Sequence, residues 1–251
     1  MRVAALYDIH GNLPALEAVL EDVRAADIDL VLVGGDVLPG PMPIETLTCL
    51  LDLEIPSLFL VGNGDREVLA RRAGTETDWY RTAREEWREP VRWTAERLRA
   101  DHRRTLASWP DTCRVAIPGQ GEVLFCHATP GSDTEIFTRL TPEDRLVSRF
   151  EEAGAAIVIC GHTHMQFDRT IGRVRVVNAG SVGMPFGEPG AYWASVGSTV
   201  ELRRTAYDLR AAAERICATD YPQAEEFAKR SILRPKSEKE TLAMFSRVEI
   251  Q

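Results

Sequence analysis

Residues Val3–Asn12 read VAALYDIHGN. The run from Val3 to Tyr7 is apolar without alternation, the pattern of a strand covered on both faces. Two metal-capable side chains, Asp8 and His10, follow directly, and Pro14 then opens a pattern in which Leu16, Val19, Leu20 and Val23 recur at the helical period. The order is strand, polar turn, helix. It repeats twice: Leu30 to Val33 is closed by Gly34-Gly35-Asp36 and followed by a helix across Ile44 to Asp52, and Ser57 to Val61 is closed by Gly62-Asn63-Gly64-Asp65. Strands alternating with helices predict an α/β fold with parallel pairing. Ligands in such folds collect beyond the carboxyl ends of the strands, where these polar residues lie.

The next stretch differs. Residues from about 66 to 104 are charged, arginine-rich and punctuated by Trp79, Trp87 and Trp93. They predict helices, one of them broken at Pro90. We take this insert as an amphipathic layer with aromatics inward, in preference to a cap that contacts substrate. From Thr112 strands resume: Arg114 to Ile117 and Glu122 to Cys126 flank the hairpin-like break Pro118-Gly119-Gln120-Gly121. Thr141 as N-cap with Pro142 behind it predicts a helix running to about Ala153, stopped by Gly154. Ala156 to Cys160 is another buried strand. Val174 to Asn178, Tyr192 to Val196 and Thr199 to Arg203 are expected as further strands, antiparallel, with Trp193 in the core. The segment of about 206–251 is expected as a helical tail, with a capping box at Ser237–Glu240. The whole chain, 1–251, is expected as one domain.

At 251 residues the chain can bury a core without staples; 44% of it is hydrophobic and 27% charged. No apolar run approaches the ~20 residues of a membrane-spanning helix, and the N-terminus lacks the shape of a signal peptide. A cytoplasmic protein without membrane contact is expected. The 5 cysteines are scattered and form no CxxC pair, so free thiols are expected, those at Cys113, Cys126 and Cys160 buried in strand-like runs. A net charge of −8 argues against bulk nucleic-acid binding.

The polar residues just after strands form a set: Asp8, His10, Asp36, Asn63, His127, His162 and His164, which take in four of the 5 histidines. Imidazole, carboxylate and amide oxygen without thiolate suit divalent ions such as Mn²⁺, Fe²⁺, Co²⁺, Ni²⁺ or Zn²⁺. Seven ligands exceed what one such ion with an open position takes and match two ions sharing a carboxylate. A two-metal site clamps the attacking and leaving oxygens of an in-line displacement and lowers the pKa of bound water, which points to phosphate esters.

In this order the blocks DIHGNLPAL, GGDV, GNGD, CHATP, GHTH and NAGSVGMP resemble the calcineurin-like metallophosphoesterase superfamily, and within it the small bacterial and archaeal phosphodiesterase branch. The resemblance covers about residues 1–204. It implies two mixed β-sheets packed as a sandwich flanked by helices, an αββα arrangement of four layers. It implies that Asp8, His10 and His164 hold one metal, that Asn63, His127 and His162 hold the other, and that Asp36 bridges them. It implies a nucleophile that is a metal-bridging water or hydroxide, with Gly161 letting the backbone turn sharply into the site. Many members carry a histidine after the metal-binding asparagine; here that position is Gly64. Asp65 and, more remotely, His102 are the candidates for the missing acid, and Asn12 is a candidate phosphoryl contact. NAGSVGMP is taken as a turn packed under the metals.

The expected function is a phosphodiesterase using a water activated by two metals. The alternatives are a phosphomonoesterase or protein phosphatase, weakened by Gly64, and a catalytically weak scaffold on the same fold, weakened by the full ligand set. The expected substrate is a small phosphate ester, with nucleotides among the candidates. A homo-oligomer would be unsurprising.

Overall fold

A computed structural model describes residues 1–248 and 250. Along the chain run β1 (Val3–Leu6), α1 (Leu13–Ala25), β2 (Leu30–Val33), α2 (Pro43–Leu51), β3 (Ser57–Phe59), α3 (Asn63–Arg72), α4 (Asp78–Thr82), α5 (Glu85–Arg97) and α6 (Ala100–Leu106). The second half holds β4 (Thr112–Ile117), β5 (Gly121–Cys126), α7 (Val147–Glu151), β6 (Ile157–Cys160), β7 (Phe167–Ile171), β8 (Val174–Asn178), β9 (Ala191–Val196) and β10 (Val200–Thr205). The tail carries α8 (Leu209–Cys217), α9 (Ala224–Phe227) and α10 (Glu238–Phe245), with a π-helical turn over Ala228–Leu233.

Two mixed five-stranded sheets result, in the orders β10-β9-β1-β2-β3 and β4-β5-β6-β8-β7. In the first, β1, β2 and β3 are parallel and β9 and β10 antiparallel; in the second, β5, β6 and β8 are parallel and β4 and β7 antiparallel. The alternation of side chains along a strand builds the layers. Val3, Ala5 and Tyr7 point between the sheets, where they meet Val123, Phe125, Ile157, Ile159 and Val177. Ala4 and Leu6 point outward to Leu16, Val19 and Leu20 of α1. Leu124, Val158 and Val176 cover the far face of the second sheet with Phe137 and Phe150. Because β1 and β6 are buried on both faces, they need the unbroken apolar runs seen in the sequence.

Several expectations change. Pro90 does not break its helix: α5 runs through it from Glu85 to Arg97. Proline removes the N–H that would bond the Glu86 carbonyl, and the Gln223 side chain from the tail donates to that carbonyl instead, at 2.8 Å. The aromatics of the insert do not all face inward: Trp79 and Trp87 are exposed, whereas Tyr80 is buried in the core and Trp93 packs against Tyr221 of the tail. Thr141 is not an N-cap: its hydroxyl accepts from Thr138 N, and the predicted helix begins as a 3₁₀ turn over Glu143–Arg145 before α7. β8 is antiparallel to β7 but parallel to β6. β7 escaped the sequence reading because an exposed face breaks its apolar run. Cys126 and Cys160 are buried as expected, whereas Cys113 is only partly covered. Among the described residues, no helix is long and apolar enough to cross a membrane.

Candidate metal centre

Six parallel strands end at one place. Asp8 and His10 follow β1, Asp36 follows β2, Asn63 follows β3, His127 follows β5, and His162 and His164 follow β6. Asn178 closes β8, and its amide donates to Gly161 O at 2.6 Å and to Thr163 Oγ1 at 3.1 Å, which steadies the turn carrying both histidines. Among the described residues, six non-glycine residues have positive φ, and five are Asp8 (53°), His10 (49°), Asp36 (51°), His162 (68°) and His164 (57°). Left-handed backbone costs roughly 1–2 kcal/mol per residue. Such strain gathers at functional sites because the surroundings overdetermine the geometry.

Gly161 has a different reason from the one expected. It does not have positive φ; the left-handed turns fall on His162 and His164 themselves. A Cβ at Gly161 would lie 2.5 Å from Asp8 Oδ2 and 2.6 Å from the Tyr7 ring, so close approach is what demands glycine there. Gly62 is likewise confined: a Cβ would lie 2.2 Å from Asp36 Oδ1.

The strand ends bring all seven side chains together. His10 Nε2 lies 3.3 Å from His164 Nε2 and 3.6 Å from Asp36 Oδ2. His127 Nε2 lies 3.6 Å from Asp36 Oδ1 and 3.8 Å from Asp8 Oδ1, and Asp8 Oδ1 lies 3.4 Å from His164 Nε2. Asp36 thus turns one oxygen toward each half of the cluster. Donor atoms of Asp8, His10 and His164 lie within 4.8 Å of one another, as do those of Asp8, Asp36 and His127. Asn63 Oδ1 is 3.1 Å from His127 Nε2 and faces Asp133 O and His162 Nδ1 as well. Rotating the amide would put its NH₂ at that point, 2.9 Å from His162 Nδ1, and let Oδ1 accept from Gly64 N at 3.2 Å. Once His127 gives up its Nε2 proton, three acceptors face one point, and either that NH₂ or a cation satisfies them.

The donor set fits a metal on two further grounds. Asp8 Oδ1 is buried and lacks a hydrogen-bond partner. The outer nitrogens of two imidazoles are already engaged: His127 Nδ1 donates to Gly34 O at 2.9 Å and His164 Nδ1 to Met184 O at 2.7 Å. Those bonds set the tautomer and aim each Nε2 inward, the usual support of a ligating histidine.

The electrostatics agree. Burial pushes the Asp8 and Asp36 carboxyls up, but the imidazoles beside them, His164 first for Asp8 and His127 first for Asp36, hold both below the usual carboxylate range. Burial would lower His127, yet Asp36 and Asp8 together push it up to about 10, and Asp8 likewise raises His164. His162 is pushed down to about 4 by burial and by His127, and burial lowers His10. The two buried carboxylates thus favour the protonated form of His127 and shift His164 in the same direction, and a cation would serve in place of that positive charge.

The remaining candidates have other partners. Asn12 Oδ1 caps α1 by accepting from Ala15 N at 3.3 Å, and its NH₂ donates to Gly183 O at 2.9 Å. Asp65 is buried and accepts from Leu38 N at 2.9 Å and Gly62 N at 3.1 Å; burial and Asp36 push its carboxyl up to about 7 against those two bonds. His102 contacts Arg99 and none of the cluster residues. The NAGSVGMP segment packs under the cluster as expected: Ser181 Oγ donates to Asp8 O at 2.8 Å, and Gly183 N donates to the same oxygen at 3.0 Å. Sequence reasoning missed the carbonyls of Gly34 and Met184, which carry no side-chain signature. It also missed Arg66, held by Asp111 and Asp133 at 2.7 and 2.8 Å, beside a cavity of about 190 Å³ that reaches His127.

A family model described as the calcineurin-like phosphoesterase superfamily domain matches residues 1–197. The chain is 28% identical over 243 residues to the uncharacterized protein MJ0912 of Methanocaldococcus jannaschii, covering 88% of this chain and 94% of that one. Its fold is similar to that of the hypothetical protein PH1004 from Pyrococcus horikoshii OT3, with a TM-score of 0.79 and 22% identity over 94% of this chain and 99% of the other. It is also similar to a metallophosphoesterase from Sphaerobacter thermophilus, with a TM-score of 0.68 and 24% identity over 91% and 98% of the two chains. At these identities the structural likeness is one of fold.

Proposed function

Because the chain belongs to the calcineurin-like phosphoesterase superfamily, we propose that it is a metal-dependent hydrolase of phosphate esters, a phosphodiesterase that uses two divalent cations to activate water. The observation that carries the reading is the convergence of seven oxygen- and nitrogen-bearing side chains at the strand ends. Asp8, His10 and His164 would hold one ion, Asn63, His127 and His162 the other, and Asp36 both. Bound there, the pair would supply a nucleophile from water at neutral pH and offset the charge of the phosphoryl oxygens.

The chain's own residues do the rest. Gly34 O and Met184 O aim two imidazoles. The His162 N–H holds Asp8 Oδ2 at 2.8 Å, and the Gly64 N–H holds Asp36 Oδ1 at 2.7 Å, so each carboxylate presents a fixed oxygen. Asp65 and Asn12 enter this proposal as positioning residues: Asp65 fixes the turn that carries Asn63, and Asn12 ties α1 to the loop beneath Asp8. With Gly64 where others carry histidine, the described residues offer no imidazole beyond the proposed ligands to protonate the leaving group, so diesters with good leaving groups are the expected substrates. A small phosphate ester, nucleotides included, is the proposed partner.

The test is direct. Full-length protein is stripped of metal, reloaded with Mn²⁺ or Ni²⁺, and assayed on bis-p-nitrophenyl phosphate and p-nitrophenyl phosphate. Faster hydrolysis of the diester supports the proposal. Faster hydrolysis of the monoester makes the chain a phosphatase, and silence on both makes it a scaffold.

A further inference from the structure

The tail after β10 lies outside the region that the family model matches, yet it reaches back to one histidine of the cluster. The path runs through Met184–Gly187. This segment meets His164 twice: Met184 O accepts from Nδ1 at 2.7 Å, and the Phe186 ring lies nearly flat against the imidazole, centroids 5.6 Å apart and planes 24° apart.

The tail grips the same segment at three points. The Met184 side chain packs into the apolar cluster of the tail around Ile216, Tyr221 and Ile232. Phe245 of α10 meets Phe186 edge-on, centroids 6.1 Å apart. Gly187 N donates to Lys236 O at 2.8 Å. The grip is itself anchored, since Ser237 and Glu240 form a capping box at the start of α10 and Glu238 pairs with Arg139 at 2.7 Å.

We infer that the tail is a clamp on His164. By fixing Met184–Gly187 it sets how tightly the Asp8–His10–His164 group holds its cation, while the Asn63–His127–His162 group does not feel it. The physical reason is orientation. An imidazole held at both its outer nitrogen and its face enters the metal's coordination without losing rotamer freedom. One whose supporting loop moves must be ordered by the metal itself. Loss of an outer partner of this kind lowers metal affinity by roughly 10–100-fold. Phe186 and Phe245 are thereby positioning residues. The inference rests on the two-cation reading proposed above.

Phe245 is only partly buried, so truncating it opens no cavity in a sheet core. The experiment titrates metal-stripped full-length protein with Mn²⁺ by calorimetry and with Co²⁺ by visible absorption. The parent chain should show two binding steps. Phe245→Ala should weaken one step by about tenfold, leave the other unchanged and alter the Co²⁺ spectrum of the weakened step, and Phe245→Trp should restore both. In a His164→Ala background Phe245→Ala should have no further effect, because the coupling runs through that ring. Should Phe245→Ala melt the fold, Phe245→Leu keeps the apolar bulk and removes the ring-edge contact, with the same expectation in smaller degree. Equal weakening of both steps, no weakening, or an effect that survives in His164→Ala overturns the clamp alone. A parent chain that takes up fewer than two ions overturns the two-cation reading and the clamp with it.

Discussion

His127 and His164 make the same bond to different neighbours. Each donates from Nδ1 to a backbone carbonyl, at 2.9 and 2.7 Å, and each turns Nε2 inward, His127 toward Asp36 and Asp8 and His164 toward Asp8. The acceptor of His127 is Gly34, directly behind β2, which is paired on both sides by β1 and β3, and His127 itself follows β5. The acceptor of His164 is Met184, in a loop whose far side rests on the tail. Two ligands with matching chemistry thus depend on parts of the chain with different stability. One is fixed by strand pairing, which yields only when the sheet does. The other is fixed by loop and helix contacts, which open at lower cost.

The largest break in this comparison comes from the residue that the two halves share. Asp36→Ala should abolish both metal-binding steps and lower diester hydrolysis by more than about 100-fold, beyond what loss of an outer partner costs. Survival of one full-affinity step would mean that the halves are independent. The pH dependence of metal uptake comes next. Ligand imidazoles must lose their protons to bind metal, and His127 stands at about 10 in the metal-free site because Asp36 and Asp8 face it. Loading at pH 7 should therefore release protons, and apparent affinity should rise with pH between 6 and 9, by an estimated factor of up to about ten per pH unit for each proton displaced. Calorimetry in buffers of different ionisation enthalpy measures both; uptake without proton release would contradict the charge arrangement. The smallest effect is Gln223→Ala, which removes the donor to the Glu86 carbonyl that Pro90 leaves free. It should cost about 1 kcal/mol in chemical denaturation and leave both metal steps unchanged, because it touches the tail away from Met184–Gly187.

The comparison also shows why some of the molecule was legible in the sequence and some was not. β1, β2 and β6 read clearly because strands covered on both faces need continuous apolar runs. β7 did not, since its exposed face carries Asp168 and Thr170 and hides the period. Pro90 looked like a break because the sequence does not show which residue will donate to Glu86 O, and that donor lies 137 residues away. The ligand candidates were legible because each follows a recognisable strand. Asn12 and Asp65 look the same in sequence, a polar residue beyond a strand, and only their hydrogen bonds distinguish them from the cluster.

Local order along the chain determined the α/β class and the residues available to a cation, since burial and strand period act within a few positions of each residue, while the four-layer αββα arrangement was implied by the family resemblance. Tertiary structure alone decided which backbone carbonyl aims each imidazole, why Gly161 admits no side chain, and that the tail reaches His164. Those outcomes depend on the approach of segments from 20 to more than 150 residues apart, as with His164 to Met184 and His162 to Asp8, and a main-chain carbonyl carries no mark in the sequence of the partner it will meet.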